Sequence, residues 1–136
     1  MAVQANLVDD QINVDTSKDS IVIIHNQYCI PGGKTLDVTG FAPDVINAGH
    51  ILIKETATGN YKPMPLNAGA TAYAALPADH EYAGVLAATI LKKRPFAAVM
   101  IEGYVNEVAS PFPVATIKTA FLTALNNEVK FRSDLA

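Results

Sequence analysis

Tryptophan is missing from this 136-residue chain, cysteine occurs once, and charged residues make up only 17%. The single Cys29 excludes an internal disulfide framework. An excess of basic charge is also missing. Ten Lys and Arg stand against thirteen Asp and Glu, a formal net charge of −3, which argues against a nucleic-acid partner needing a basic face. Long hydrophobic runs are absent. Ile21–Ile24 and Pro95–Ile101 fall far short of the ~20 apolar residues that span a membrane, so no membrane partner is predicted. Met1–Asp10 carries two acids, no basic segment and no continuous apolar stretch, so no secretory leader is predicted. The charged fraction lies below the ~25% usual for globular chains. A chain of this size keeps much of its surface wet, so the shortage points to a subunit that shares surface with copies of itself.

What is present fits one compact domain. Half of the residues are apolar, too many for a wholly disordered chain, and a chain this long buries roughly 68% of its unfolded surface. Residues 1–19 read as a polar N-terminal arm whose removal should barely change folding stability, because Leu7, Val8, Ile12 and Val14 are scattered without a period. Residues 20–136 read as a single β-rich domain. Ser20–Ile30, with four consecutive apolar residues, predicts a strand. Pro31-Gly32-Gly33 ends it with a turn, and Lys34–Val38 predicts a short strand. His50–Glu55 and Tyr61–Leu66 predict a hairpin across Thr56–Asn60, with Pro63 and Pro65 placing its second arm at a sheet edge. Tyr82–Leu91 and Phe96–Asn106 predict a second strand pair joined by Lys92-Lys93-Arg94-Pro95. Gly103 marks a bulge or close backbone approach. Val114, Ile117, Phe121, Ala124 and Leu125 recur at steps of three and four, predicting one helix over Val114–Asn126 capped by Ser110 and stopped by Asn126-Asn127. Val129–Arg132 adds a last short strand. The predicted class is mainly β, a small β-barrel or β-sandwich-like domain, with one C-terminal α-helix.

Motifs for chemistry are weak. His25 and Cys29, on a strand, lie about 13 Å apart and cannot share a metal; a structural histidine and a buried thiol are expected. Asp79-His80-Glu81 alternates faces on an extended chain and reads as a polar surface loop. Pro31-Gly32-Gly33-Lys34-Thr35 lacks the first glycine of a phosphate loop, since that position is Tyr28. Lys92, Lys93 and Arg94 read as a solvated tip. The sequence predicts no catalytic residue, no metal ligand and no cofactor, and the chain is not expected to be an enzyme. The apolar run Ala97–Ile101 predicts a strand covered on both faces, with Val99, Met100 and Ile101 as the candidate oligomer interface.

An ordered set of features follows Ala48. The entry Ala48-Gly49-His50-Ile51-Leu52-Ile53 leads to the hairpin KETATGNYK at Lys54–Lys62, then to Tyr82-Ala83-Gly84-Val85-Leu86, then to AAVMIEGYV at Ala97–Val105, and finally to the helix and short strand. In this order they resemble phage head decoration and head-fibre proteins, over about two thirds of the chain. The resemblance implies a structural virion protein: a β-rich homotrimer, without catalysis or cofactor, that binds the major capsid protein. It implies residence on the virion capsid surface, after assembly in the cytoplasm of a bacterial host. It also gives the arm a use, with Leu7, Val8, Ile12 and Val14 as capsid-contacting residues. The longer front half, Ser20–Asn47, departs from the smallest decoration proteins and leaves lambda-type and projecting-fibre arrangements open. The alternative is a small β-rich binding module or adhesin-like domain recognising a glycan or peptide, with Tyr28, Tyr61 or Tyr104 lining a pocket.

Overall fold

The computed structural model describes residues 12–134. Its centre is a six-stranded sheet built from β1 (Ile23–Cys29), β4 (Ile51–Glu55), β5 (Tyr61–Pro63), β6 (His80–Leu86), β9 (Val99–Asn106) and β10 (Val129–Arg132). The strand order is β1-β9-β6-β4-β5, antiparallel throughout, while β10 joins β9 in parallel beyond β6. Two small two-stranded sheets, β2 (Lys34–Thr35) with β8 (Phe96–Ala97) and β3 (Val45–Ile46) with β7 (Ile90–Leu91), complete the strands. β1 and β5 stand at opposite ends of the main sheet, so no barrel closes among the described residues. The mainly β class holds.

Alternation explains the layers. Successive strand side chains point to opposite faces, and both faces of this sheet are covered. Ile51, Ile53, Val85 and Met100 face one core with Val114, Ile117 and Phe121. Leu52, Leu86 and Val99 face a second core with Leu36 and Ile46 from the small-sheet side. A strand buried on both faces reads as an unbroken apolar run. Ile51-Leu52-Ile53 is such a run.

Three expectations are corrected. The predicted strand Ser20–Ile30 opens instead with one helical turn, α1 (Asp19–Val22). Asp19 pins it: its carboxylate accepts from the Thr89 amide at 2.9 Å and the Thr89 hydroxyl at 2.6 Å. The predicted pair Tyr82–Leu91/Phe96–Asn106 forms a ladder at Val85–Met100 and Leu86–Val99, extended by the Ala87 amide on the Ala98 carbonyl at 2.9 Å, and goes no further because β7 turns away to β3 and β8 to β2. The predicted helix Val114–Asn126 shortens to α2 (Lys118–Ala124). Ile117 occupies its N-cap without a side-chain acceptor, while the Ser110 hydroxyl donates to the Asn106 carbonyl. The described residues therefore form two short helices rather than one. The stop is as expected: Asn126 and Asn127 take positive φ, and the Asn127 amide closes on the Leu122 carbonyl at 2.8 Å.

The expected hairpin forms between β4 and β5, with β5 at the sheet edge. Gly103, at φ +150°, faces β1 so closely that a Cβ there would collide with the His25 carbonyl. Its place in β9 is a close backbone approach.

Candidate functional site

The two ends of the main sheet are treated differently. β5 is three residues long, contains Pro63, and is flanked by Leu36 and by the Asp37 amide, which donates to the Tyr61 carbonyl at 2.8 Å. Short length, proline and a covering loop are the usual guards of a sheet edge. Among the described residues, β1 has none of these three. Its seven residues, Ile-Ile-His-Asn-Gln-Tyr-Cys, include no formal charge and no proline, and the five from Ile24 to Tyr28 are exposed. Its register on β9 is interrupted by bulges, which bend the strand without adding charge. Ile21, Ile24 and Tyr28 are exposed by 53%, 36% and 47% along this flank. An uncharged edge with apolar side chains beside it is a template for another chain.

A second feature is a cleft of about 520 Å³ between the Asp37–Pro43 loop, β5 and the Pro65–Ala70 loop. Its walls include Phe41, Ile53, Leu66 and four prolines (Pro43, Pro63, Pro65 and Pro77), with Asp37, Lys62 and His80 among them. That size and mixture suit a small ligand. Asp37 is held by its own loop, where the Thr39 hydroxyl and amide both donate to Oδ1 at 2.7 and 3.1 Å. These bonds, the hydroxyl first, keep its carboxyl below the usual range. His80 Nδ1–H donates to the Ala78 carbonyl at 2.7 Å. Its Nε2 is thus free to accept from Lys62 Nζ at 3.3 Å. Lys62 also meets Glu55 at 3.4 Å.

Behind the Phe41 wall lies His50, 1% exposed. Phe41, Tyr73 and Phe112 surround its ring edge-on at 5.2 to 5.6 Å, and its Nε2–H donates to the Met64 carbonyl at 3.0 Å. Burial pushes its pKa down from 6.5 to about 4, against the opposing effect of the Met64 bond.

The predicted site residues fall as follows. Val99 and Met100 are fully buried in the protomer's own two cores, so these side chains present nothing to a neighbour; Ile101 is half-buried. The two-sided cover expected for the run holds at Val99 and Met100, supplied by the small-sheet side and α2, whereas Ala98 is exposed. Leu7 and Val8 lie outside the described residues; Ile12 is half-buried and Val14 is 44% exposed. Tyr28, Tyr61 and Tyr104 do not converge. Tyr28 lies on the open edge, Tyr61 sits under Lys34 at 5.5 Å, and Tyr104 packs beside His25 at 6.3 Å and Lys130 at 5.7 Å. His25 is exposed rather than structural, and Cys29 is half-buried with its thiol bonded to Asn26. Asp79-His80-Glu81 splits between a turn and β6, with Glu81 paired to Lys54 at 3.1 Å. Pro31-Gly32-Gly33 form a tight turn, closed by the Gly33 amide on the Ile30 carbonyl at 3.1 Å, and Lys34-Thr35 follow as β2.

Lys92 leaves the basic cluster to bind the Phe41 and Ala42 carbonyls at 3.0 and 3.1 Å. Lys93 and Arg94 stay exposed. Sequence reasoning missed Asp37 and Lys62, although Asp-Val-Thr at 37–39 carries the side-chain turn signature that orients the carboxylate. Among the described residues no cluster of three His, Cys, Asp or Glu is placed to hold a metal ion, and no helix is long and apolar enough to cross a membrane. Comparison with family models, with curated proteins and with solved structures finds no match.

Proposed function

We propose that this chain is a structural virion protein, a phage head decoration or head-fibre subunit that assembles as a homotrimer and binds the major capsid protein. The observation that supports it best is the exposed, uncharged β1 edge, bordered by Ile21, Ile24 and Tyr28. A subunit that completes its sheet against a neighbour has a use for such an edge; a lone monomer has a reason to charge it. In a three-fold ring each β1 meets a different surface of the next subunit, so the contact is head-to-tail and closes on itself. The small sheets over one face make the domain sandwich-like on that side. Capsid attachment then gains from three linked contacts, each raising the effective concentration of the others.

The test is light scattering at micromolar concentration, followed by a titration of phage shells stripped of decoration protein. The full chain is expected to run as three chains and to bind shells. Ile24→Lys, on an exposed edge position, is expected to run as one chain with an unchanged circular dichroism spectrum. A monomeric full chain, or no attachment to shells, overturns the proposal.

A second reading, a binding module for a glycan or peptide, is favoured by one observation. The cleft beside β5 has apolar walls and a fixed carboxylate.

A further inference from the structure

The polar groups around the cleft are unequal in kind. Four of its lining residues are prolines, which bring no backbone N–H. Asn67, also on the wall, spends its amide on Thr71, donating from Nδ2 to the hydroxyl at 3.1 Å and accepting the backbone N–H at 2.9 Å. Lys62 directs its ammonium at Glu55 and His80. Asp37 is different. Both Thr39 bonds fall on Oδ1, and among the described residues no hydrogen bond reaches Oδ2. The cleft therefore offers one oriented carboxylate oxygen that no hydrogen bond reaches among the described residues, between apolar walls and beside an ammonium, Lys62, that is already engaged.

We propose that this cleft binds an apolar chain ending in a cationic N–H donor, an alkylammonium or alkylguanidinium group whose head meets the Asp37 carboxylate. The proposal rests on the second reading, that the cleft is a binding site, and is independent of the assembly proposed above. The chemistry follows from matching. An N–H head supplies a donor for Asp37 Oδ2, and its charge is met by a carboxylate whose geometry is already set by Thr39. Phe41, Leu66 and Pro65 cover the alkyl part and keep water from competing. An anionic head would meet the Asp37 carboxylate while the Lys62 ammonium is held by Glu55 and His80, and a neutral hydroxyl would leave the carboxylate's charge unanswered. The head can come from a free amine or from a lysine or arginine side chain of a peptide. The recognised group is the same.

The experiment titrates the full chain with hexylammonium, hexanoate, hexanol and methyl glucoside at matched ionic strength, following backbone amide shifts of Gly40 and Leu66. A fifth arm uses N-acetyl-lysine methylamide to separate the two sources. Hexylammonium or the lysine amide is expected to saturate, with whichever binds tighter naming the source. Asp37→Asn is expected to weaken it at least tenfold. The asparagine keeps an oxygen for the Thr39 bonds, so the melting temperature should stay near that of the parent chain, and a change in it would show in the same samples. Glu102→Gln, a carboxylate on β9 outside the cleft, is expected to change nothing. Hexanoate binding as tightly as hexylammonium overturns the proposal, as does an Asp37→Asn chain that binds normally. Saturation by methyl glucoside alone overturns the cationic head but keeps the cleft as a site. Saturation by no probe overturns both.

Discussion

His50 illustrates how much one enclosed side chain can govern. Folded, it holds no proton until about pH 4, whereas in the unfolded chain it takes one up near 6.5. Between those values the unfolded state binds the extra proton, so stability falls as pH falls, and the loss levels off below about pH 4. The difference is worth roughly 3 kcal/mol. Urea unfolding at pH 7.5 and at pH 4 should show it, and His50→Phe should be nearly flat over that window, whatever it costs at neutral pH. Asp37 and Glu55 act at lower pH, because bonds from Thr39 and, for Glu55, from Thr58 hold their carboxyls below 3.8 and 4.5. Their contribution is present above those values and disappears as pH falls beneath them. Thr89 is a second governing residue. Thr89→Val keeps the backbone N–H but removes the hydroxyl, which donates to the half-buried Asp19 carboxylate and accepts from the Ala48 amide, and is expected to cost about 1.5–3 kcal/mol, read as a lower urea midpoint. A truncation through residue 19 removes the acceptor itself. The N-terminal segment is thus not neutral to stability up to that point, contrary to the sequence reading.

At the scale of elements, α2 and β9 carry opposite lessons. α2 has seven residues and no side-chain cap, too little to be stable alone. It exists because Phe121, fully buried, packs edge-on against Tyr82 at 5.6 Å and against Phe131 at 5.4 Å. Phe121→Ala is expected to cost about 3–5 kcal/mol, measured by equilibrium unfolding, with loss of the helical signal before the strand signal. β9 depends on an absence. Gly103 lets β1 approach, and Gly103→Ala must push away the His25 carbonyl. Its cost should exceed the roughly 1 kcal/mol of an ordinary glycine replacement, and hydrogen exchange should show β1 amides losing protection more than those of β4. The hairpin β4–β5 was legible from Thr56–Asn60 because its turn residues are local. The pairing of β9 with β1, about seventy residues apart, has no local sign.

For the whole molecule, local chemistry determined the mainly β class, the hairpin, the proline-marked edge at β5, the asparagine stop after α2 and the glycine at the close approach in β9. Each of these depends on a few neighbouring residues: β-branched side chains, missing amides, a missing Cβ. The apolar run Ala97–Ile101 also announced that both faces of a strand would be covered. What would cover them was not in the run. An apolar side chain is equally satisfied by its own helix, by a small sheet or by a neighbouring subunit, since burial has no direction. The tertiary structure decided for the first two, placing Val99 on the small-sheet side and Met100 on the α2 side. Among the described residues, the large apolar side chains left exposed are Ile21, Ile24 and Tyr28 along the β1 flank, and Val14, Phe96 and Val108 elsewhere. The cleft was invisible for a related reason: Asp37, Lys62 and His80 come from three separate segments, and only the closing of the chain brings a carboxylate, an ammonium and four prolines around one space.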